Sequence, residues 1–248
     1  MKNTLRLFIS LLSVSLTIPT FATSYCLADG NPAFVDIVSE DVYNAMFPNH
    51  NSNYTYQNLL AAVKQFPAFS NEGSLEQRKR EVAAFLANIA HETGGLSKVE
   101  EDNAYQKPIG EYCQESTTYP CVPNQRYHGR GPLQLSWNYN YKQAGDALNI
   151  DLLNNPDLVK NDGVIGFKTA LWFWMTPQPP KPSVHAAMIG DSGFGMTINI
   201  INGGVEKCGS GKTTPEAQSR IDLYKRFTEK LGVTPGDHLD CNNMKPYN

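Results

Sequence analysis

The hydrophobic and polar positions follow a helical period along most of the chain. Apolar residues recur every three or four positions in segments bounded by proline, glycine or short polar breaks, as in amphipathic helices that pack on a core. Helices are therefore predicted within residues 34–47, 54–66, 74–93, 138–147, 163–175, 193–201 and 215–231. Strand-like alternation is scarce, and the one strand element considered is a short hairpin within residues 99–130. The pattern predicts a mainly α, single-domain fold.

The third predicted helix ends in the stretch LANIAHETGGLSK, where a carboxylate precedes two glycines. At its start, Ser74 is followed by Gln77 close to the position that a capping box uses. Gly94 ends the helix, which places Glu92 in the last turn. Negative charge suits the beginning of a helix better than its end, so Glu92 is a candidate for a functional role.

Residues 1–22 are typical of a secretory signal peptide. Basic residues precede an apolar run at 7–18, and the small residues up to Ala22 offer a cleavage site. The run is shorter than the roughly 20 residues that a membrane-spanning helix needs. We therefore expect an exported protein, extracellular or periplasmic.

Export makes the five cysteines candidates for disulfides. Cys113 and Cys121 bracket a short loop, and a bond between Cys208 and Cys241 would tie the C-terminal tail to an upstream loop. Cys26 is then left over as a free or intermolecular thiol. No CxxC spacing occurs, which argues against a structural zinc site.

Composition and short motifs exclude several functions. A hydrophobic content of 41% supports a real core, and a net charge of −3 indicates neither a nucleic-acid partner nor an anionic membrane. The zinc-protease motif HExxH fails, because its second histidine would fall at Gly95. The segment GSGKTT lacks the first glycine of a phosphate loop, since that position is Glu206.

A set of carboxylates remains after these exclusions. Glu92 and Glu101 are nine positions apart with two glycines between them, so the chain must turn back to bring them together. Two carboxyl groups facing each other across a cleft are what glycoside hydrolysis needs, one as acid and one to activate water. On spacing alone, residues 100–102 also fit a solvated acidic loop, and that is the simpler interpretation.

The stretch YHGRGPLQLSWNYNY alternates polar groups with aromatic ones. Arg130 lies between glycines that permit close backbone approach. Amides and hydroxyls interleaved with aromatic rings are typical of a sugar-binding groove, and amphipathic packing explains the pattern equally well. The polar members are Gln134, Ser136, Asn138 and Asn140.

Several long motifs together resemble the family 19 glycoside hydrolases, which are inverting chitinases. They are AHETGGL, YHGRGPLQLSWNYNYKQAGDALNIDLLNNPDLV, KTALWFW, INIINGG and SRIDLYKRFTEKLGV. The layout is most similar to the compact bacterial members. The resemblance implies a bilobal, lysozyme-like α fold with a long substrate cleft and disulfide-held loops. The matching motifs place a catalytic domain at 34–241, which leaves a leader at 23–33 after the signal peptide at 1–22, and a tail at 242–248.

The resemblance also implies roles for individual residues. Glu92 matches the family's general acid and Glu101 its general base, with Glu100 as the alternative register. Ser136 matches the serine that helps to hold the nucleophilic water. Asn202 matches a residue near the N-acetyl group, and Arg220 an arginine of the charged network that pairs with Glu206. The positions matching sugar-binding or cleft residues are Gln134, Tyr139, Asn140, Asn202, Arg220 and Tyr119.

The implied activity is an exported, monomeric endochitinase that cleaves β-1,4 bonds of chitin and chitooligosaccharides by single displacement. No metal, cofactor, nucleic acid or membrane is implied. The alternatives are an endolysin-like muramidase acting on peptidoglycan and a non-catalytic chitin-binding defence protein. One departure from the family pattern is Tyr127-His128, where the family has paired aromatics.

Overall fold

The computed structural model describes residues 32–247. The predicted signal peptide at 1–22, nearly all of the leader at 23–33, and Cys26 lie outside these residues, and they stay predictions.

The described residues form ten α-helices. They are α1 Pro32–Ile37, α2 Glu40–Met46, α3 Tyr56–Val63, α4 Leu75–Thr93, α5 Asn138–Leu148, α6 Leu158–Asn161, α7 Gly163–Met175, α8 Val184–Ile189, α9 Phe194–Asn202 and α10 Pro215–Lys230. A short 3₁₀ turn spans Ala104–Gln106. The prediction of a mainly α fold is confirmed.

The differences from the predicted helices have local causes. The first predicted helix is two helices, because the Ser39 side chain accepts a hydrogen bond from the amide of Val42 and starts a new helix there. Helices α6 and α8 were missed, since four and six residues are too few to show a helical period.

Helix α4 is the central element of the larger hydrophobic core. Its capping box joins Ser74 and Gln77, and Gly94 ends it in the left-handed conformation with φ +60°. Every residue from Glu81 to Ala90 is buried, because α10, α8 and α1 all pack against this helix. Glu92 is thereby held at the end of a rigid element.

A second, smaller cluster lies around α5 and the segments on either side of it. Its buried members are Tyr127, Leu135, Tyr141, Ala144, Leu152, Leu153, Val159 and Trp172. The two clusters give the fold its two lobes.

The segment between α4 and α5 is mostly irregular. Among the described residues the considered hairpin is replaced by isolated bridges, from Glu100 to Arg130 and from Arg130 to Leu135. The amide of Gly131 donates to Val99 at 2.9 Å, and the amide of Glu101 donates to Gly129 at 2.8 Å. This pairing brings the residues after α4 back against the stretch before α5.

Both predicted disulfides are present. Cys113 is joined to Cys121 across the loop before α5, and Cys208 is joined to Cys241 near the C-terminus. The Asn138 side chain reinforces the first loop, because its amide donates to the carbonyls of Gln114 and Tyr119 at 2.9 and 2.6 Å.

Candidate active site

A cleft of about 1030 Å³ runs between the two lobes. Glu92 enters it from the end of α4, and Glu100 and Glu101 enter it from the returning segment. The fold therefore brings the predicted acid and the predicted base into one cavity. The chain turns back after Gly94, as the sequence spacing predicted.

Glu92 is supported from below by a buried arginine. Arg220, on α10, is 1% exposed, and its Nη2 donates to Glu92 Oε1. The same guanidinium donates through Nε to Glu206 at 3.1 Å and through Nη1 to Asn88 at 3.0 Å. The predicted pairing of Arg220 with Glu206 is present. Arg220 does not line the cleft, so it contacts Glu92 from the protein interior and fixes the position of that carboxyl group.

Two neighbours complete the surroundings of Glu92. Asn202 lines the cleft, and when its amide oxygen is turned toward Arg220 it accepts from Nη2 at 3.2 Å. The imidazole of His91 lies 3.1 Å from the hydroxyl of Ser219. Burial and the nearby Arg220 charge lower the pKa of His91 to about 4, so its imidazole is neutral near pH 7.

Glu101 has a different set of partners. Its Oε1 accepts from Lys107 and, at 2.9 Å, from the hydroxyl of Tyr112, while Oε2 accepts from the amide of Gly129 at 3.3 Å. Burial raises the pKa of Glu101, but these hydrogen bonds outweigh burial and leave the pKa below its ordinary value. Glu101 is therefore an ionised carboxylate at neutral pH.

The neighbouring carboxylate, Glu100, is held separately. Its Oε2 lies 3.0 Å from His128 Nε2 and 3.0 Å from Lys160 Nζ. Burial raises its pKa, and the hydrogen bonds from His128 and Lys160 lower it by more, so that the pKa is below the usual range. Glu100 and Glu101 both line the cleft. Among the described residues, no side chain forms a hydrogen bond with both of them.

The polar residues predicted for sugar binding divide into two groups. Gln134, Ser136, Tyr139 and Asn140 line the cleft. Asn138 is buried and binds the disulfide loop. The prediction that it lies in the sugar groove is therefore wrong.

Aromatic rings form one side of the cleft. Trp137 and Tyr139 stack with their centroids 5.9 Å apart, and Tyr112 packs edge-on against Trp137 at 5.6 Å. Tyr119 does not line the cavity itself, but its ring contacts Tyr139 with the centroids 6.4 Å apart. Tyr141 is buried against Arg130 and has a structural position.

The sequence reasoning missed several residues in and beside the cleft. Lys107 and Tyr112 were unassigned, although they bind the predicted base. Gln178 and Lys181, in the proline-rich segment MTPQPPKPSV, also line the cleft. The available signal was a pair of polar side chains between prolines that fix the backbone. Burial lowers the pKa of Lys181, whose Nζ donates to the carbonyl of Ile200 at 3.0 Å.

Comparison with known proteins identifies the family of this fold and cleft. The model of the family described as chitinase class I matches residues 34–241. The chain belongs to glycoside hydrolase family 19. The family establishes a glycoside hydrolase of the chitinase type, and it confirms the resemblance found in the sequence motifs.

Plant and bacterial members are both similar to this chain. Endochitinase A2 of Pisum sativum is 44% identical over 249 residues, covering 89% of this chain and 76% of the relative. The basic endochitinase of Vitis vinifera is 44% identical over 253 residues, covering 90% and 79%. A solved structure of a bacterial family 19 chitinase is 53% identical with a TM-score of 0.76, covering 83% of this chain and all of that one. Chitinase C from Streptomyces griseus HUT6037 is 47% identical with a TM-score of 0.76, covering 83% and 80%.

Residues 32–247 contain no helix that combines the length and the apolar character needed to cross a membrane.

Proposed function

We propose that this family 19 protein is an exported endochitinase that hydrolyses β-1,4 bonds between N-acetylglucosamine units with inversion of configuration. In this proposal Glu92 is the general acid and Glu101 the general base. The observation that carries the assignment is the placement of two carboxyl groups from different elements in one cleft, each with its own set of partners.

The contacts of Glu92 fit the role of the acid. A general acid must hold a proton and release it to the leaving oxygen. When Glu92 carries that proton, Arg220 still pairs with Glu206 and donates to Asn88, so the guanidinium is not left without partners. The position of Glu92 at the end of α4 keeps the carboxyl group in place both while it holds the proton and while it releases it.

The contacts of Glu101 fit the role of the base. Lys107, Tyr112 and the amide of Gly129 favour its ionised form, which can accept a proton from water. The water oxygen then bonds to the anomeric carbon as the bond to the leaving oxygen breaks. Glu101 takes the proton of the water and Glu92 protonates the leaving oxygen, so charge and atoms balance without a covalent intermediate. Ser136, on the same cleft lining, is proposed to help hold the water.

The cleft lining fits a polymer of acetamido sugars. Stacked Trp137 and Tyr139 offer aromatic faces to sugar rings, and the amides of Gln134, Asn140 and Asn202 can read hydroxyl and acetamido groups. We propose chitin and chitooligosaccharides as substrates, and Tyr119 as a contact at the edge of the site through its packing on Tyr139.

Product analysis on chitin hexamer, with purified peptidoglycan digested in parallel, tests the proposal. Internal cleavage of the hexamer without release from peptidoglycan is expected. Selective release from peptidoglycan would favour the muramidase alternative, and binding without turnover would favour the non-catalytic one. Glu92→Gln completes the test, because the amide keeps the shape of the side chain but cannot deliver a proton. It should lower kcat by at least roughly 10²-fold while hexamer binding, measured by calorimetry, survives.

A further inference from the structure

His128 is a buried imidazole directly beside the segment that carries Glu101. Its side chain is 2% exposed, and Nε2 lies 3.0 Å from Glu100 Oε2. Nδ1 is also buried and has no hydrogen-bond partner among the described residues. The ring of Tyr105 packs edge-on against the imidazole with the centroids 5.5 Å apart.

These contacts determine which nitrogen carries the hydrogen. An ionised carboxylate only accepts hydrogen bonds, so Nε2 must be the donor to Glu100. A second proton would sit on Nδ1, where it would be buried without an acceptor and close to the positive charge of Arg130. Burial lowers the pKa of His128 although Glu100 and Glu101 oppose this, so the ring is neutral at neutral pH. His128 is a neutral donor with a single acceptor.

The His128 imidazole and the backbone of Gly129 bind two consecutive residues of the opposite segment, Glu100 and Glu101. His128 binds the Glu100 side chain, while the backbone of Gly129 exchanges hydrogen bonds with Glu101. The Glu101 amide donates to the Gly129 carbonyl at 2.8 Å, and the Gly129 amide donates to Glu101 Oε2 at 3.3 Å. A side-chain bond on one residue and backbone bonds on the next fix the rotation of the peptide between them.

The other donor to Glu100 is less suited to this task. Lys160 also reaches Glu100 Oε2, but its ammonium ends a flexible four-carbon chain. The ring of His128 has two side-chain torsions and is enclosed by protein, so little freedom remains for the bond that it makes.

We propose that His128 is a positioning residue for the reaction: as a neutral donor it holds Glu100 and, through the peptide that joins Glu100 to Glu101, orients the carboxylate of the base. The inference rests on the proposed role of Glu101.

Two substitutions of His128 separate positioning from packing. His128→Phe keeps a buried ring but removes the donor, whereas His128→Gln places an amide donor near the position of Nε2. On chitin hexamer, His128→Phe should lower kcat by about 10-fold with little change in KM, because misplacement of a catalytic group acts on the chemical step. His128→Gln should recover most of that loss. Equal losses in the two variants would overturn the proposal.

A double-mutant cycle with Glu100→Ala tests whether His128 acts through Glu100. If it does, His128→Phe should change kcat by less than about 2-fold once Glu100 is already alanine, because interacting residues are not additive. A full loss in the Glu100→Ala background would show that His128 acts by another route, and the proposal would be wrong. If His128→Phe does not fold, the same cycle with His128→Asn, whose shorter amide cannot reach Glu100, decides the matter.

A matched control uses the other buried imidazole that binds a carboxylate. His185 lies 2.6 Å from Glu81 through Nδ1, outside the cleft lining. His185→Gln should lower the thermal midpoint without changing kcat, and an equal fall in kcat would attribute the effect of His128 to general loosening of the fold.

Glu101→Ala, measured in the same series, separates this inference from the proposed function. If Glu101→Ala is active, both the proposed function and this inference are wrong. If Glu101→Ala is inactive but the effects of His128→Phe and Glu100→Ala on kcat are additive, only this inference is wrong.

Discussion

Arg220 donates to Glu92 and Glu206 at the same time, so one buried guanidinium connects the end of α4 with the loop after α9. The planar fork of arginine makes this possible, because its donors point in several fixed directions. The same side chain also reaches Asn88, on the preceding turn of α4. The predicted acid is therefore held by an ion-pair network that lies almost wholly below the cleft surface.

Arg220→Lys should lower kcat without abolishing folding. A lysine ammonium keeps the charge but cannot reach Glu92, Glu206 and Asn88 together, so Glu92 loses its fixed orientation. We expect a fall in kcat of about 10-fold or more, with a smaller change in KM, measured on chitin hexamer. Arg226→Lys is the matched control, since Arg226 is exposed on the same helix. Unchanged kcat in Arg220→Lys would show that the network does not orient Glu92.

The partners of Glu101 predict a shift in the pH profile. Lys107 favours the charged form of this carboxylate, and its removal in Lys107→Met should raise the pKa of Glu101 toward its ordinary value. A base must be ionised to act, so the acidic limb of the profile of kcat/KM should move to higher pH. Lys142→Met, which removes a half-buried lysine paired with Asp146 outside the cleft lining, should leave the limb in place. An unmoved limb in Lys107→Met would contradict Glu101 as the base.

The assignment of the base rests on two adjacent carboxylates and is tested by comparing them. Glu101→Ala should lose nearly all turnover, at least roughly 10²-fold, because the group that accepts the proton is gone. Glu100→Ala should lose far less, since in our proposal Glu100 takes no proton and only links His128 to the peptide that carries Glu101. Initial rates on chitin hexamer decide the order. The reverse ranking would move the base to Glu100.

The elements that the sequence predicted well are those with local signals at both ends. Helix α4 has a capping box at Ser74 and a glycine stop at Gly94, and both are read from a few consecutive residues. Helix α7 begins at Gly163 and ends at Met175 as predicted, because its apolar face is long and prolines follow it.

Contacts that depend on the path of an irregular segment could not be predicted in this way. Nothing in the local pattern places Lys107 on Glu101 or His128 on Glu100, since both contacts depend on how the irregular segment between α4 and α5 folds back. The motif resemblance supplied the pair Glu92 and Glu101, but it carried no information on the partners of His128. The fold, the approach of the two carboxylates and the pairing of Arg220 with Glu206 were therefore predictable, and the contacts of Glu100 and Glu101 were not.

The two disulfides should differ in their effect on stability. The bond between Cys113 and Cys121 spans 8 positions, and the bond between Cys208 and Cys241 spans 33. Loop-closure entropy of the unfolded chain gives about 2.5 kcal/mol for the first and about 3.7 kcal/mol for the second. Replacing each pair by serine and measuring the free energy of unfolding in urea should give this order. A larger loss from the shorter loop would show that contacts within the native loop, such as those of Asn138, outweigh chain entropy.

The stereochemistry of the product tests the mechanism directly. If Glu101 activates water, the two carboxyl groups must leave room for it at a separation of about 6.5–9.5 Å, whereas a nucleophilic carboxylate works at about 5–5.5 Å and retains configuration. Proton NMR during early hydrolysis of the β-linked hexamer should therefore show the α-anomer first.

Ser136→Ala extends the stereochemical test to the water itself. Without the hydroxyl, the water loses one hydrogen-bond partner but still approaches from the side of Glu101, so hydrolysis should slow while the α-anomer still forms first. A covalent mechanism would have no need of Ser136 in the first step, and it would release the β-anomer. Early β-anomer from the unsubstituted protein would therefore contradict the role of Glu101, whatever the rate of the Ser136 variant.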